Sequence, residues 1–365
     1  MAKVDLTAAA RFDLRPWIGD DDRPGAVAAV LSGGQVASWT ARGVEGDGSN
    51  RLLTPDTVFY VASVSKQFTA ACVGLCGADG LLDVDDPARR SIPELSPAFD
   101  PVTLRHLLHH LGGLPRGEAA VGEALGLPAD WWHGGGLWEM ISVLTKVTDL
   151  PQARGVGYAY SNAGYWLLAA TVARASGQRF GDFARTRLFG PLGMAATRFR
   201  DDPTVEQPGL VTGHNAQPDG GITPNHTQFH FIGDGGLLTT LSDLARWDVF
   251  WTGRSALGPD LPAWLLRAAR RTDGAWLYYR RGVSVRPHRG VPIISHGGSF
   301  VGYLSKLVRF PDQDFSVACL ANADDVDVDS LSLALADTVL RDVADLTAPS
   351  WADSVRDDAV DLTRG

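Results

Sequence analysis

Cysteine is scarce in this chain. Its 365 residues include only Cys72, Cys76 and Cys319. Such a low and odd number excludes a disulfide framework and is typical of proteins from a reducing compartment. Cys72 and Cys76 lie in an apolar run, which favours packed core thiols over a metal or redox site.

The chain also lacks an excess of basic residues and a long apolar run. Its 33 Lys and Arg are outnumbered by 42 Asp and Glu, and a net charge of −9 repels phosphate backbones. Residues 155–173 carry no charge, but they include Tyr160, Asn162 and several glycines, so they are a poor bilayer span. Charged residues interrupt the first segment where a signal peptide would be apolar. We therefore predict a cytoplasmic protein with no membrane or nucleic-acid partner.

Apolar patterning and turn residues predict strands near both ends of the chain and helices between them. Residues 25–43 are typical of a hairpin, and residues 201–233 are turn-rich without a clear element. Further strands are predicted at 58–61, 283–285, 292–295, 303–310 and 315–321. Helices are predicted at 62–78, 102–111, 165–176, 180–188, 242–251 with Ser242 as N-cap, and 329–344.

This order predicts an α/β (α+β) fold. The two groups of strands can form one antiparallel sheet flanked by helices, with the middle of the chain inserted as a mainly helical domain. The predicted sheet domain comprises residues 1–82 and 234–346, and the helical domain comprises residues 83–233. Residues 347–365 are acidic and are predicted to form a loose C-terminal tail.

The first candidate for chemistry is Ser63-Val64-Ser65-Lys66. If Ser63 opens the predicted helix, Lys66 lies one turn further on the same face. A serine hydroxyl needs a nearby base, and a lysine serves as one when burial disfavours its ammonium form. No charged residue follows Lys66 before Asp79, which indicates such a setting. Ser-x-x-Lys alone also recurs by chance.

Two other segments carry polar residues at turns. Tyr160-Ser161-Asn162 precedes a predicted helix, and a phenol beside a lysine can relay a proton while an amide orients a substrate carbonyl. His296-Gly297-Gly298 follows a predicted strand, where glycines let a substrate backbone come close. Taken singly, each segment favours a structural role over a catalytic one.

Together and in this order, the three segments resemble the motifs of the serine β-lactamase and penicillin-binding-protein superfamily. The resemblance extends from about Pro24 to Leu340 and is strongest to the class C β-lactamase, D-aminopeptidase and carboxylesterase branch. Three supporting segments also match. They are residues 103–115, residues 191–194 and residues 235–237.

The resemblance implies a catalytic role for five residues of this chain. Ser63 would be acylated, and Lys66 and Tyr160 would share the proton transfers of acylation and deacylation. Asn162 would orient the substrate amide and Lys66. His296 would occupy the place of a lysine on the substrate-binding strand.

The resemblance also implies substrate-binding roles for Gly297, Gly298 and Ser299, with the N–H groups of Ser63 and Ser299 forming the oxyanion hole. This segment departs from the superfamily pattern. A histidine is only partly charged at neutral pH, and Gly297 lacks the usual hydroxyl. The departure favours an esterase, an aminopeptidase-like amidase or an acyltransferase over an efficient β-lactamase or a D,D-carboxypeptidase.

Other motifs have simpler interpretations. His133-Gly134-Gly135-Gly136 resembles a lipase oxyanion loop, but no Gly-x-Ser-x-Gly segment accompanies it. Histidines 106, 109 and 110 have helical spacing without a carboxylate partner, which favours packing over a metal site. Two aromatic clusters, Trp131-Trp132-Trp138 and Trp276-Tyr278-Tyr279, are either core residues or a rim for an apolar acyl group.

Three functional hypotheses follow. The first is a serine hydrolase or acyltransferase that forms an acyl-enzyme on Ser63 with small esters, amides or peptides, including those with a D-residue at the acyl position. The second is a stand-alone penicillin-binding-protein-type thioesterase that cyclises nonribosomal peptides. The third is a non-catalytic acyl-ligand binding or sensor module. The predicted partner is a small-molecule or peptide substrate. No cofactor is expected, and the oligomeric state is left open.

Overall fold

A computed structural model describes residues 4–46, 48, 50–202 and 204–341. The strands are β1 (Ala26–Ser32), β2 (Gln35–Arg42), β3 (Phe59–Tyr60), β4 (Arg198–Phe199), β5 (His214–Ala216), β6 (Ile222–Pro224), β7 (Leu237–Thr239), β8 (Ser284–His288), β9 (Val291–Phe300), β10 (Tyr303–Phe310) and β11 (Phe315–Ala321). The helices are α1 (Ser65–Ala78), α2 (Ala88–Ser91), α3 (Leu104–Leu108), α4 (Glu118–Leu125), α5 (Leu137–Leu144), α6 (Asn162–Ser176), α7 (Phe180–Ala184), α8 (Gly190–Leu192), α9 (Leu241–Trp251), α10 (Asp260–Leu265) and α11 (Val328–Val339).

The central element is a six-stranded antiparallel sheet. Its strand order is β2-β1-β11-β10-β9-β8, so strands from both ends of the chain lie side by side, as the sequence predicts. The β1–β2 hairpin turns at Gly33 and Gly34, whose φ angles of 59° and 83° suit glycine. A mixed fold with an antiparallel sheet and flanking helices is therefore confirmed.

Both faces of the sheet are buried, which explains why β1 is a continuous apolar run. Val27, Ala29 and Leu31 join the core shared with α1, α6 and α9. The alternate residues of β1 join a second core, which is closed by α11 and by the 3₁₀ turn Ala8–Arg11. A strand covered on both faces has no polar side, because successive side chains point to opposite faces.

Several predicted boundaries were wrong by a few residues. α9 begins one residue before Ser242, and Thr240 is its N-cap because the Thr240 side chain accepts a hydrogen bond from the Asp243 N–H. Ser242 instead donates a hydrogen bond to Asp56. β9 extends to Phe300, beyond the predicted end at residue 295, because β10 pairs with it along that length. The unassigned residues 201–233 contain the short β5–β6 pair.

The structure shows the surroundings of the cysteines and tryptophans for which the sequence left packing and binding roles open. Cys72, Cys76 and Cys319 are buried free thiols. Within the described residues, no group of three or more His, Cys, Asp or Glu side chains could hold a metal ion. Trp131 donates a hydrogen bond to the Glu118 main chain, whereas Trp138 remains 45% exposed beside Arg174.

No helix in the described part of the chain is both long and apolar enough to cross a membrane. The predicted domain boundaries, the cytoplasmic location and the absence of a nucleic-acid partner stay predictions. Residues 342–365 lie outside the described residues, so the predicted tail at 347–365 and the last residues of the predicted final helix are not described.

Candidate active site

Ser63 lies in a tight turn between strand β3 and helix α1. The turn is the 3₁₀ segment Ala62–Val64, and α1 follows directly. Ala62 has a φ of 44°, an unusual conformation for a residue with a side chain, and the Ser65 hydroxyl ties the turn by donating to the Ala62 carbonyl. Ser63 stays partly exposed while Ser65 is buried, so only Ser63 presents its hydroxyl to the cleft described below.

Lys66 is completely buried behind Ser63. Its Nζ lies 3.0 Å from Ser63 Oγ and 2.9 Å from Asn162 Oδ1. A third contact of 2.8 Å joins Nζ to the main-chain oxygen of Asp234. An ammonium can donate to all three oxygens, and a neutral amine can donate to two carbonyls and accept from the serine hydroxyl. A proton can therefore pass between Oγ and Nζ while the heavy atoms stay in place.

The Tyr160-Ser161-Asn162 segment is held beside Lys66 by the start of α6. The Ser161 hydroxyl caps α6 by accepting from the Gly164 N–H and donates to the Pro115 carbonyl. The Ser161 N–H donates to Nδ1 of buried His110. These contacts hold the segment in place, with Asn162 hydrogen-bonded to Lys66 and the centre of the Tyr160 ring 4.9 Å from Lys66 Nζ.

The second half of β9 forms the opposite wall of the site. β8 pairs with β9 only as far as Ser295, so residues 296–300 have a strand partner on one side only among the described residues. Gly298 lies against the Ala62–Val64 turn, which carries the candidate nucleophile and is called the nucleophile turn below. A Cβ added at Gly298 would lie 2.4 Å from the Val61 carbonyl oxygen and 2.9 Å from the Ser63 nitrogen. A glycine is therefore required for this close approach.

His296 is buried and neutral. Its Nδ1 lies 2.6 Å from the Gly297 carbonyl oxygen and its Nε2 lies 3.2 Å from the Tyr279 hydroxyl. Because a carbonyl only accepts, Nδ1 carries the hydrogen and Nε2 accepts from Tyr279. Burial, followed by the charge of Lys66, lowers the pKa of His296 to about 3. The sequence-based expectation of a partly charged histidine was therefore wrong, because it took no account of burial.

These walls enclose a cleft of about 450 Å³. Ser63, Tyr160, His296 and the Gly297-Gly298-Ser299 segment line it, and Lys66 and Asn162 lie behind its floor. Further lining residues come from β10, from loops and from the start of α11, which the motifs do not include, namely Arg116, Leu304, Ser305, Val326, Asp327, Val328 and Asp329. The structure thus brings all eight predicted site residues together.

The arrangement has the parts that acyl transfer requires. Ser63 has a hydroxyl exposed to a cleft and a buried amine within hydrogen-bond distance. The Ser63 main-chain nitrogen lies against Gly298 of β9, where the resemblance implies that an oxyanion would form. Across residues 11–340 the chain matches the family model described as "Beta-lactamase". The chain belongs to the β-lactamase family.

Individual relatives of the family are distant. Penicillin-binding protein 4* of Bacillus subtilis is 26% identical over 84% of this chain and 70% of its own length. A D-aminopeptidase of Gluconobacter oxydans is 28% identical over 82% of this chain and 56% of its own length. An octameric penicillin-binding protein homologue from Pyrococcus abyssi superposes with a TM-score of 0.75 at 22% identity, over 87% of this chain and 74% of that one, which shows the shared fold alone.

Membership of the β-lactamase family places this chain among the serine hydrolases, but it does not identify the substrate. The chain spans little more than half the length of the G. oxydans D-aminopeptidase. The resemblance inferred from the three motifs is therefore confirmed at the level of the family. The role of each site residue stays a prediction, which the geometry supports.

Several residues at the site were missed by sequence reasoning. The Asp234 carbonyl accepts a hydrogen bond from Lys66, and the Tyr279 hydroxyl donates one to His296. His110 accepts one from the Ser161 N–H. One signal was available for Asp234, which is a single charged residue within a glycine-rich apolar segment. The sequence placed Tyr279 in an aromatic cluster and His110 in a histidine group but did not indicate their contacts at the site, because those contacts join parts of the chain far apart in sequence.

We expect His296 to remain neutral from pH 8 down to about pH 5. The pKa of its folded form is about 3, below the value of about 6.5 for an unfolded histidine, so the stability gained from its neutral burial is present above pH 6.5 and is lost as the pH falls towards 3. NMR titration of the His296 imidazole measures this directly, with the denatured protein as the control. A titration midpoint near 6.5 in the folded protein would contradict the prediction.

Proposed function

We propose that this protein is a serine hydrolase that cleaves amide bonds through an acyl-enzyme on Ser63, acting on small amides and peptides with a D-residue at the acyl position. Small esters are the second class of substrate. The observation that carries the proposal is the buried Lys66 amine, which lies within hydrogen-bond distance of Ser63 Oγ and is also hydrogen-bonded to Asn162 Oδ1 and to the Asp234 carbonyl. The named D-aminopeptidase relatives support amides as the substrate class.

In the first half of the reaction Ser63 Oγ attacks the substrate carbonyl carbon. Its proton moves to the Lys66 amine, with Tyr160 as the second proton carrier on the cleft side. The carbonyl oxygen becomes an oxyanion bound by the N–H groups of Ser63 and Ser299. The C–N bond then breaks, and the departing amine takes the proton from the Lys66 and Tyr160 pair.

In the second half water attacks the ester carbonyl of the acylated Ser63 and gives a proton to the same pair. The bond from the acyl carbon to Oγ breaks, and Oγ regains a proton. Asn162 keeps Lys66 directed at Oγ throughout, because its Oδ1 accepts from Nζ. The acid product and the free serine complete the cycle with atoms and protons balanced.

The β9 wall favours neutral acyl groups over β-lactams. His296 is neutral, and Gly297 offers no hydroxyl, so this part of the strand provides neither a fixed charge nor a hydroxyl for the carboxylate of a β-lactam. The part of the lining at the start of α11 carries the carboxylates of Asp327 and Asp329, which repel such a group, whereas Arg116 in the same lining attracts it. Lys306 lies beside Asp329 and is paired with it, so its charge is compensated.

A product-resolved assay tests the proposal. We expect a fluorophosphonate to form one adduct with the wild type, and a D-phenylalanine anilide to be hydrolysed at least about tenfold faster than its L-isomer and than nitrocefin. Ser63→Ala is expected to lose the adduct, and the matched Ser65→Ala variant to keep it, since the Ser65 hydroxyl bonds the Ala62 carbonyl and the Leu237 N–H and does not line the cleft. Equal turnover in wild type and Ser63→Ala would overturn the proposal.

The same assay identifies the acyl acceptor. With a peptidyl thioester, release of the linear acid alone supports water as the acceptor. Formation of a macrocycle would instead assign the cyclase activity that the motif order also allows. Equal rates for D- and L-anilides would contradict the D-residue preference while leaving the acyl-enzyme in place.

A further inference from the structure

His110 is a buried histidine at a position where glycine is usual. It follows the C-cap residue of α3, His109, and its φ angle is 56°. Helices commonly end on a residue in this left-handed conformation, and that residue is usually glycine because glycine has no Cβ. A side chain that persists in a strained conformation indicates that its other contacts require it. His110 is buried, so those contacts lie inside the protein.

His110 contacts three successive residues of the segment that carries Tyr160. Its main-chain oxygen accepts from the Ala159 N–H at 2.9 Å, and its Nδ1 accepts from the Ser161 N–H at 3.1 Å. Between these two hydrogen bonds the imidazole packs on the Tyr160 ring, with the ring centres 4.2 Å apart and the planes at 37°. One residue therefore holds the main chain on both sides of Tyr160 and the ring itself.

The Tyr160 ring depends on such a contact, because its hydroxyl has no hydrogen bond to any of the described residues. Tyr160 lines the cleft and is partly exposed. The centre of its ring is 4.9 Å from Lys66 Nζ, 6.1 Å from the Tyr279 ring and 6.3 Å from the His296 ring, so His110 is the closest of these contacts. The direction of the phenol is thus set through the face of its ring.

The His110 imidazole is neutral and is itself fixed in place. Because Nδ1 accepts from a main-chain N–H, the ring hydrogen is on Nε2, which is buried without a hydrogen-bond partner among the described residues. Burial, followed by the charge of Lys66, lowers the pKa of His110. The rings of Tyr279 and Tyr165 pack around the imidazole, with centres 4.5 Å and 5.2 Å away. His110 therefore acts on Tyr160 by packing and not by charge.

We propose that His110 is a positioning residue for acyl transfer, whose imidazole directs the Tyr160 phenol towards the Ser63 and Lys66 pair. The inference rests on the proposed function, since it gives His110 a part in the acylation of Ser63 through Tyr160. With the imidazole in place, the phenol is held in one orientation. Without it, the phenol can turn into the space left behind, and fewer molecules have the hydroxyl in place when Ser63 attacks.

The test is a double-mutant cycle between His110→Asn and Tyr160→Phe. Asparagine tolerates a positive φ and offers Oδ1 to the Ser161 N–H, so it removes the ring but keeps the hydrogen bond. The readout is the rate at which a fluorophosphonate labels Ser63. We expect His110→Asn to label about tenfold more slowly than the wild type. In the Tyr160→Phe background we expect it to change the rate less than about twofold, because the phenol oxygen is already absent.

His109→Asn is the matched control. His109 is the buried neighbour of His110, and its imidazole contacts the Arg281 guanidinium and not Tyr160. We expect this variant to unfold at a lower temperature, because it loses buried packing, but to label within about threefold of the wild-type rate. His110→Phe restores a ring without the hydrogen bond, and we expect it to label at least about threefold faster than His110→Asn.

Thermal unfolding shows which variants are folded, and His110→Gln, a larger side chain without a ring, replaces His110→Asn in the cycle if the latter does not fold. A ring-free variant that labels at the wild-type rate would overturn the proposal. So would an equal loss of rate with and without the Tyr160 hydroxyl, since that result indicates a general structural role. If the wild type itself forms no adduct at Ser63, the proposed function fails, and the assigned role of His110 fails with it.

Discussion

Replacing Lys66 with methionine is expected to lower the rate of Ser63 acylation about 10³-fold. Methionine has a similar length, so it fills the buried space, but it offers no atom that could take the Ser63 proton at the observed 3.0 Å. General-base catalysis of this kind contributes about 10²–10⁴ in rate. The measurement is the pseudo-first-order rate of fluorophosphonate labelling at fixed pH.

Lys306→Met is the matched control. Lys306 is also near β9, but its ammonium pairs with Asp329 and has no contact with Ser63. Its variant should label within about threefold of the wild-type rate, because a partly exposed ion pair contributes little. Thermal unfolding shows whether Lys66→Met remains folded, since Asn162 Oδ1 and the Asp234 carbonyl lose a buried donor. A folded Lys66→Met protein that labels at the wild-type rate would show that another group is the base.

Replacing Gly298 with alanine should lower turnover about 10²–10³-fold. The new Cβ would lie 2.4 Å from the Val61 carbonyl oxygen and 2.6 Å from Ser305 Oγ, far inside van der Waals contact. β9 must therefore move away from the nucleophile turn, and the N–H groups of Ser63 and Ser299 can no longer meet at one oxyanion. Overpacking of this kind also costs about 1–3 kcal/mol of unfolding free energy.

Gly297→Ala is the neighbouring control. Its Cβ would meet the Ser305 carbonyl oxygen at 3.5 Å and the Lys306 side chain at 3.6 Å, which are ordinary contacts. We expect this variant to keep a stability close to wild type and to lose less turnover than Gly298→Ala, with Gly297 itself part of the cleft lining. Steady-state kinetics with the substrate found in the anilide and ester assay, together with denaturant unfolding, measure both effects. Similar losses in the two variants would contradict the argument from close approach at Gly298.

The amino-acid sequence contained enough information to predict the family, the strand groups and a candidate nucleophile. Ser63 and Lys66 are three residues apart, and near a helix start that spacing alone places them on one face. The order of the three motifs likewise indicated that Tyr160 and His296 would join them. The apolar runs of β1 and β11 predicted strands because a strand buried on both faces has no polar side.

The local sequence pattern was less informative where two nearby residues could serve the same role. Thr240 and Ser242 are both good N-cap residues, and only the backbone conformation at Thr240 decides between them. β9 was predicted to end at residue 295, shortly before two glycines, a residue type that is depleted in strands. In the structure those glycines remain in the strand, since β10 supplies their hydrogen bonds and the nucleophile turn leaves no room for larger residues.

The sequence by itself determined which groups could react, because side-chain chemistry and helical spacing are local properties. Only the tertiary structure decided their protonation and orientation. His296 is neutral because distant segments bury it beside Lys66, and Asn162 Oδ1 faces Lys66 Nζ because α6 packs against α1. Such effects depend on burial and on charges brought together from separate parts of the chain, and no spacing along the sequence records them.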